Sequence, residues 1–332
     1  MRFRRLCAAA LLAALLPVPA PASAAQTTCE DVYTPVQFGL VQQVMYGRLC
    51  VPRGARTVQV LVPGGTYTSG YWDIPVDNGS RSVVRAMNNA GVATMAVDRI
   101  GSGKSSKPLS ILVDVPNQAQ AVHQIIQKLR PRFSKVLVGG HSIGSAIAMA
   151  EAARYRDVDG VLVTGMTHQW DYIRAVPALT NLIPAVLDAK LALRGLDVGY
   201  LTTAPGTRYA MFHAPGPNNS AVVSLDESTK DVVSASEFVT TALMSNIVLP
   251  ASSAIDVPVM TVQTSADYFC GTPPLGADCS SPAALVRSEK PFYGKAPRLD
   301  AFVVNGYGHV FNFDTQNANR YHAALISWQR SL

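Results

Sequence analysis

Residues 135–150, KVLVGGHSIGSAIAMA, decide how the rest of the chain folds. The apolar run Val136-Leu137-Val138, closed by Gly139-Gly140, predicts a buried strand. Gly140-His141-Ser142-Ile143-Gly144 follows, and the small residues from Ala146 to Ala153 predict a closely packed helix. Strand, G-x-S-x-G and helix in that order form the sharp turn that presents a nucleophilic serine. In such a turn the serine adopts strained backbone angles, and neighbouring chain comes too close to positions 140 and 144 to leave room for a Cβ. The Ser142 hydroxyl then projects at the carboxyl edge of the sheet. The N–H of Ile143, first in the helix, points to where an oxyanion would form.

Outward from this turn, residues 57–62 (TVQVLV), 92–97 and 160–164 (GVLVT) predict further strands. Residues 81–89 predict a short helix, and Val122, Ile125, Ile126 and Leu129 mark one face of another that closes before Pro131. Residues 36–53, broken at Gly47, predict an entry hairpin. Alternation of strand and helix argues for a mostly parallel sheet with helices on both faces. The alternation lapses over 167–255, which shows helical patches, prolines and no strong strand. It resumes with a strand at 259–263, another at 298–304 and a helix over 315–329. The expectation is an α/β fold whose core comprises 26–166 and 256–332, with a helical cap inserted at 167–255.

The 332 residues are 48% hydrophobic and only 15% charged, enough for a sizeable core. Residues 1–25 predict a secretory signal peptide: Arg2, Arg4 and Arg5, an apolar run over 6–16, and Ala22-Ser23-Ala24 as cleavage site. The apolar run is too short for a membrane anchor and is broken by Pro17, Pro19 and Pro21. The expected product is an extracellular protein with no stable membrane anchor, cleaved near Ala24. The formal charge of +6 falls to about +3 without the leader, and no dense Lys/Arg cluster remains, which argues against nucleic-acid partners. Export favours two disulfides among Cys29, Cys50, Cys270 and Cys279, with the local pairs 29–50 and 270–279 preferred. The spacings are not those of zinc-binding cysteine pairs.

A serine nucleophile needs a base and an orienting acid. Asp267 follows the strand at 259–263, and His309 follows the strand at 298–304 through Asn305-Gly306-Tyr307-Gly308. Both fall just past strand ends, on the edge that carries Ser142. Asp256 precedes its strand and belongs to the other edge; Asp171, soon after 160–164, is the second rival. Among the remaining histidines, His123 lies on a polar helix face, His168 and His213 read as surface residues in or near the cap, and His322 sits in the last helix. Asp98 and Arg99 read as residues that fix a turn. Gly101-Ser102-Gly103-Lys104-Ser105 lacks the first glycine of a phosphate loop, which excludes nucleotide binding on that pattern.

Together these motifs resemble the α/β-hydrolase superfamily, in particular secreted serine hydrolases with an inserted cap, of esterase or lipase type. The resemblance extends over nearly the whole chain after the leader. It rests on Gly140–Gly144, the glycine loop Gly64-Gly65-Thr66-Tyr67, the Asp98-Arg99-Ile100-Gly101-Ser102-Gly103 turn, Asp267 and Gly308-His309. It implies Ser142 as nucleophile, His309 as base and then acid, and Asp267 as the carboxylate on the far ring nitrogen. It also implies oxyanion donors at the N–H groups of Ile143 and of Gly65 or Thr66; Pro63 stands where that family usually has histidine. No metal or cofactor is implied. Trp170, Tyr172, Ile173, Val176, Leu179, Leu182 and Met211 predict an apolar roof, with Tyr67 and His141 as further candidates for substrate contact. The expected reaction is hydrolysis of a small carboxylic ester with an apolar acyl or alkyl group. A lactone or a peptide or amide bond is the alternative for the same three residues.

Overall fold

The computed structural model describes residues 26–247 and 250–332, so the leader expected over 1–25 lies outside the described residues. The chain enters through a long antiparallel hairpin, β1 (Thr27–Phe38) and β2 (Val41–Pro52), turning at Gly39-Leu40. The hairpin was expected to begin near residue 36 and break at Gly47. Gly47 instead lies within β2, opposite Val32 and Val97, where an added Cβ would come 2.6 Å from Met95 Cε. Its role is close packing of strands, not a turn. Cys29 and Cys50 face each other in the hairpin register and are joined by a disulfide; Cys270–Cys279 forms the second bridge. Both pairings are those preferred from the sequence.

Next come β3 (Thr57–Val62), α1 (Val83–Asn89), β4 (Ala93–Val97), α2 (Val115–Leu129), β5 (Lys135–His141), α3 (Ile143–Tyr155) and β6 (Gly160–Thr164). The sheet has eight strands in the order β1-β2-β4-β3-β5-β6-β10-β11, where β10 is Val259–Thr264 and β11 is Leu299–Val304. From β4 to β11 all neighbours are parallel; β1 and β2 are the antiparallel edge.

The period-two alternation of the strands sorts side chains onto two faces. Val60, Val136, Val138, Val161 and Val163 join one core with α2 and α3. The alternate residues Leu61, Leu137 and Leu162 join a second core with α1 and the closing helix, residues 318–330. Burying each such valine or leucine contributes about 1.5–3 kcal/mol, so both faces must be covered.

The stretch between β6 and β10, expected as an inserted segment, contains α4 (Tyr172–Thr180), β7 (Leu182–Pro184), β8 (Tyr200–Thr203), α5 (Ser220–Thr229), β9 (Val233–Ser234) and α6 (Ala235–Ala242). Its three strands form a small antiparallel sheet that the expectation of helical patches did not foresee. Strands of two to four residues are too short to show a period. Asp98 and Arg99 are indeed buried turn residues. The Asp98 carboxylate accepts from the N–H groups of Ser69 and Lys104 at 2.7 and 2.8 Å. Arg99 reaches into the inserted segment to Glu237 and to the Val232 carbonyl. After β10 come α7 (Pro282–Glu289), β11 and α8 (Ala318–Arg330).

Candidate active site

Ser142 joins β5 to α3 with φ 54° and ψ −124°, a conformation that side chains seldom adopt. A Cβ on Gly140 would lie 2.0 Å from the Gly144 backbone, and one on Gly144 would lie 2.3 Å from the Val62 carbonyl oxygen. These contacts explain why both positions must be glycine. Ser142 occupies the N-cap position of α3, yet its side chain makes no capping hydrogen bond. The positive φ turns the hydroxyl away from the helix and leaves it for the cavity that it lines.

Asp267 and His309 arrive from the neighbouring strand ends. The Asp267 carboxylate is fully buried and accepts from His309 Nδ1 at 2.8 Å and from the Phe269 N–H at 2.9 Å. With Nδ1 engaged, Nε2 is the imidazole nitrogen left for chemistry. The His309 ring is packed by Tyr268, His141 and Phe269, at centroid distances of 4.6, 4.7 and 5.5 Å. The two rival acids are used elsewhere: Asp171 caps α4, and exposed Asp256 lies 3.9 Å from Arg156.

Ser142, His309, Ile143 and the loop Gly64-Gly65-Thr66 line one cavity of about 300 Å³, within the range of small-molecule sites. An added Cβ on Gly64 would lie 3.2 Å from Ser142 Cβ, so this loop abuts the serine directly. Among the described residues the N–H groups of Gly65 and Thr66 have no hydrogen-bond acceptor. That of Ile143 opens a helix and is unused by it. Trp170, Tyr172, Leu179 and Leu182 line the cavity, together with Phe212, Phe238 and Phe269. Ile173 and Val176 are exposed, and Met211 belongs to the second core.

Tyr67 and His141 also line the cavity; the Tyr67 hydroxyl and His141 Nδ1 are committed to the protein, whereas His141 Nε2 is buried with no hydrogen-bond partner. Tyr67 donates to Asp226 at 3.2 Å, and His141 Nδ1 lies 3.2 Å from Thr164 Oγ1. His141 stacks on Tyr71 at 4.4 Å. Burial, and then the neighbouring His309, hold its pKa well below the ordinary imidazole range, so it stays neutral at pH 7. A neutral ring there does not compete with positive charge developing on His309.

The histidines read as surface residues are buried. His168 pairs with Glu289 at 2.6 Å and sits against Ser252. His213 links Tyr307, two residues before His309, to Asp226, at 2.8 and 2.9 Å. Asp226 is the centre of a network with no counterpart among the sequence motifs. It accepts two hydrogen bonds from the Arg208 guanidinium, at 2.8 and 2.9 Å, besides those of Tyr67 and His213. Arg208 in turn donates to Thr66 Oγ1 at 3.0 Å, and the Asp231 N–H donates to the Thr66 carbonyl. Thr66 has φ 64°, so the inserted segment holds the strained residue of the glycine loop from both sides. The neighbouring His213 and Phe212 carbonyls accept from the Gly308 and Val310 N–H groups, on either side of His309. The signal in sequence would have been an Arg and an Asp 18 residues apart, which has no distinctive spacing.

A family model described as the alpha/beta hydrolase family matches residues 59–321. No curated protein matches the chain in sequence. Solved structures similar in fold include a thermophilic esterase from Thermogutta terrifontis, 14% identical, with a TM-score of 0.61 over 91% of this chain and 98% of that one. The enol-lactonase from Burkholderia xenovorans LB400 is 15% identical, with a TM-score of 0.60 over 90% of this chain and 100% of that one. A membrane phospholipase A, a bacterial virulence factor, is 16% identical, with a TM-score of 0.57 over 90% and 86%. The matched span takes in the serine turn, the glycine loop, Asp267 and His309, and by it the chain belongs to the alpha/beta hydrolase family.

Proposed function

We propose that the protein is an extracellular serine hydrolase that cleaves carboxylic esters of apolar acids through an acyl-enzyme on Ser142. The observation that carries this reading is the buried Asp267–His309 hydrogen bond, set on the wall of the cavity that Ser142 enters at the first turn of α3. His309 Nε2 takes the hydroxyl proton as Ser142 Oγ attacks the ester carbonyl, and Asp267 stabilises the imidazolium that results. The oxyanion is met by the N–H of Ile143 and that of Gly65 or Thr66. His309 then gives its proton to the leaving alcohol. A water, deprotonated by the same nitrogen, attacks the acyl-enzyme and releases the acid. Export is supported by the leader motif and the two disulfides. Among the described residues no helix is long and apolar enough to cross a membrane.

The apolar lining supports an acyl group over a charged or peptide substrate. The test is a panel of p-nitrophenyl esters of increasing acyl length, alongside lactones and aminoacyl anilides. Ester turnover should rise with chain length until the cavity is filled and then fall. Faster turnover of lactones or anilides than of every ester would move the assignment to those substrates.

A further inference from the structure

The opposite end of α3 carries a second convergence of functional groups. α3 is 13 residues long, so this end lies about 20 Å from Ser142 at 1.5 Å per residue. There His123 of α2, Glu151 of α3 and Asp157 just beyond it bring one imidazole nitrogen and two carboxylates within 4.8 Å of one another. His123 Nδ1 is 2.8 Å from Asp157 Oδ2 and 3.6 Å from Glu151 Oε1.

Well-aligned hydrogen bonds satisfy little of the cluster beyond the His123–Asp157 ion pair. His123 Nδ1, both Glu151 oxygens and Asp157 Oδ1 are buried and have no hydrogen-bond partner. The Glu151 side chain is 0% exposed and points its carboxylate at the imidazole. Four such atoms in one place call for a partner, and an ion between them is one that fits all three side chains. The groups are also held in orientation. The Tyr155 ring stacks on His123 at 3.8 Å and 9°, and Gln127 donates to Asp157 Oδ2. Fixing first ligands through their outer contacts is how metal sites are built.

We propose that His123, Glu151 and Asp157 bind a divalent transition-metal ion, zinc above all, that clasps the end of α3 to α2. Zinc with bonds of 2.0–2.1 Å sets tetrahedral ligand atoms roughly 3.3 Å apart; the two imidazole-to-carboxylate distances of 2.8 and 3.6 Å bracket that value and no pair exceeds 4.8 Å, so a small side-chain shift seats the ion. Magnesium and calcium prefer all-oxygen shells, so the imidazole selects against them. Partial exposure of His123 (24%) and Asp157 (16%) leaves a path for the ion and for a completing water. The site owes nothing to the ester-hydrolase reading and serves stability, not the chemistry at Ser142.

The test uses the mature protein, stripped with a chelator and titrated calorimetrically with zinc chloride, with magnesium and calcium chlorides as controls. The other five histidines are at most 7% exposed, which keeps competing imidazole sites few. One zinc should bind, and at a hundredfold excess over its Kd should raise the thermal midpoint by about 4 °C. His123→Asn and Glu151→Gln should each weaken binding at least about tenfold while circular dichroism and Ser142 labelling are retained. Absence of zinc binding, equal binding by both folded variants, or magnesium or calcium binding as tightly as zinc would overturn the proposal.

Discussion

The two ends of α3 treat buried carboxylates in opposite ways. At the end near Ser142, Asp226 and Asp267 are both fully buried and both fully engaged, one by Arg208, Tyr67 and His213, the other by His309 and the Phe269 N–H. Burial pushes the Asp226 carboxyl up, but the Arg208 charge and the His213 and Arg208 hydrogen bonds outweigh it and hold it below the ordinary range. At the far end Glu151 is equally buried and meets only the His123 imidazole, 3.6 Å away, and burial pushes its carboxyl up to about 8 against the pull of that ring. Depth alone therefore does not set the state of an acid in this fold; the donors that surround it do. The rim around Ser142 is braced by groups from the inserted segment, whereas the far end is held by packing and by whatever occupies the space between its three side chains.

The sharpest way to break this contrast is at Asp267. Asp267→Asn should lower kcat on a p-nitrophenyl ester by about a thousand- to ten-thousand-fold, because the amide favours the wrong His309 tautomer. A variant within tenfold of the parent would remove Asp267 from the machinery. Next in size, Arg208→Met should cost about 3–5 kcal/mol in urea unfolding, since it strands a buried Asp226 without its counter-charge. Adding Asp226→Leu should recover most of that loss. A single-variant cost under about 1 kcal/mol would show that the rim does not depend on this pair.

Acid should act next. Burial holds His141 well below the ordinary range and lowers His322 to about 4, whereas both sit near 6.5 in the unfolded chain. Their contribution is complete above about pH 6.5 and is lost as pH falls toward their folded values, because the unfolded chain then binds more protons. Unfolding free energy should drop between pH 7 and pH 4, with about 1–3 kcal/mol assignable to His322 by comparison with His322→Gln. A flat profile would contradict the neutral, buried state of both rings. The smallest effect belongs to the far end. In metal-free protein, Glu151→Gln should change stability by less than about 1 kcal/mol, because no hydrogen bond is lost. A cost comparable to Arg208→Met would erase the contrast.

Most of the frame was legible in the residues. The strands at 57–62 and 160–164 fall where the apolar runs placed them, because central parallel strands are buried on both faces and read as continuous apolar sequence. The placement of Ser142, Asp267 and His309 was legible because each follows a strand end at a turn. What escaped were features without local periodicity. The start of the entry hairpin, Thr27-Thr28-Cys29-Glu30-Asp31, is exposed throughout and carries no apolar alternation. The sheet of the inserted segment has strands too short to show a pattern. Arg208, Asp226 and His213 meet only through tertiary packing, as do His123, Glu151 and Asp157, which come from two helices and a loop.

The central claim is that Ser142 is an activated nucleophile. It is tested most directly by treating the folded mature protein with a fluorophosphonate and mapping the adduct by peptide mass spectrometry. One phosphonyl group on Ser142, absent from Ser142→Ala and formed far more slowly in His309→Ala, is the predicted result. No adduct on the folded protein, or an adduct on a different serine, would contradict it.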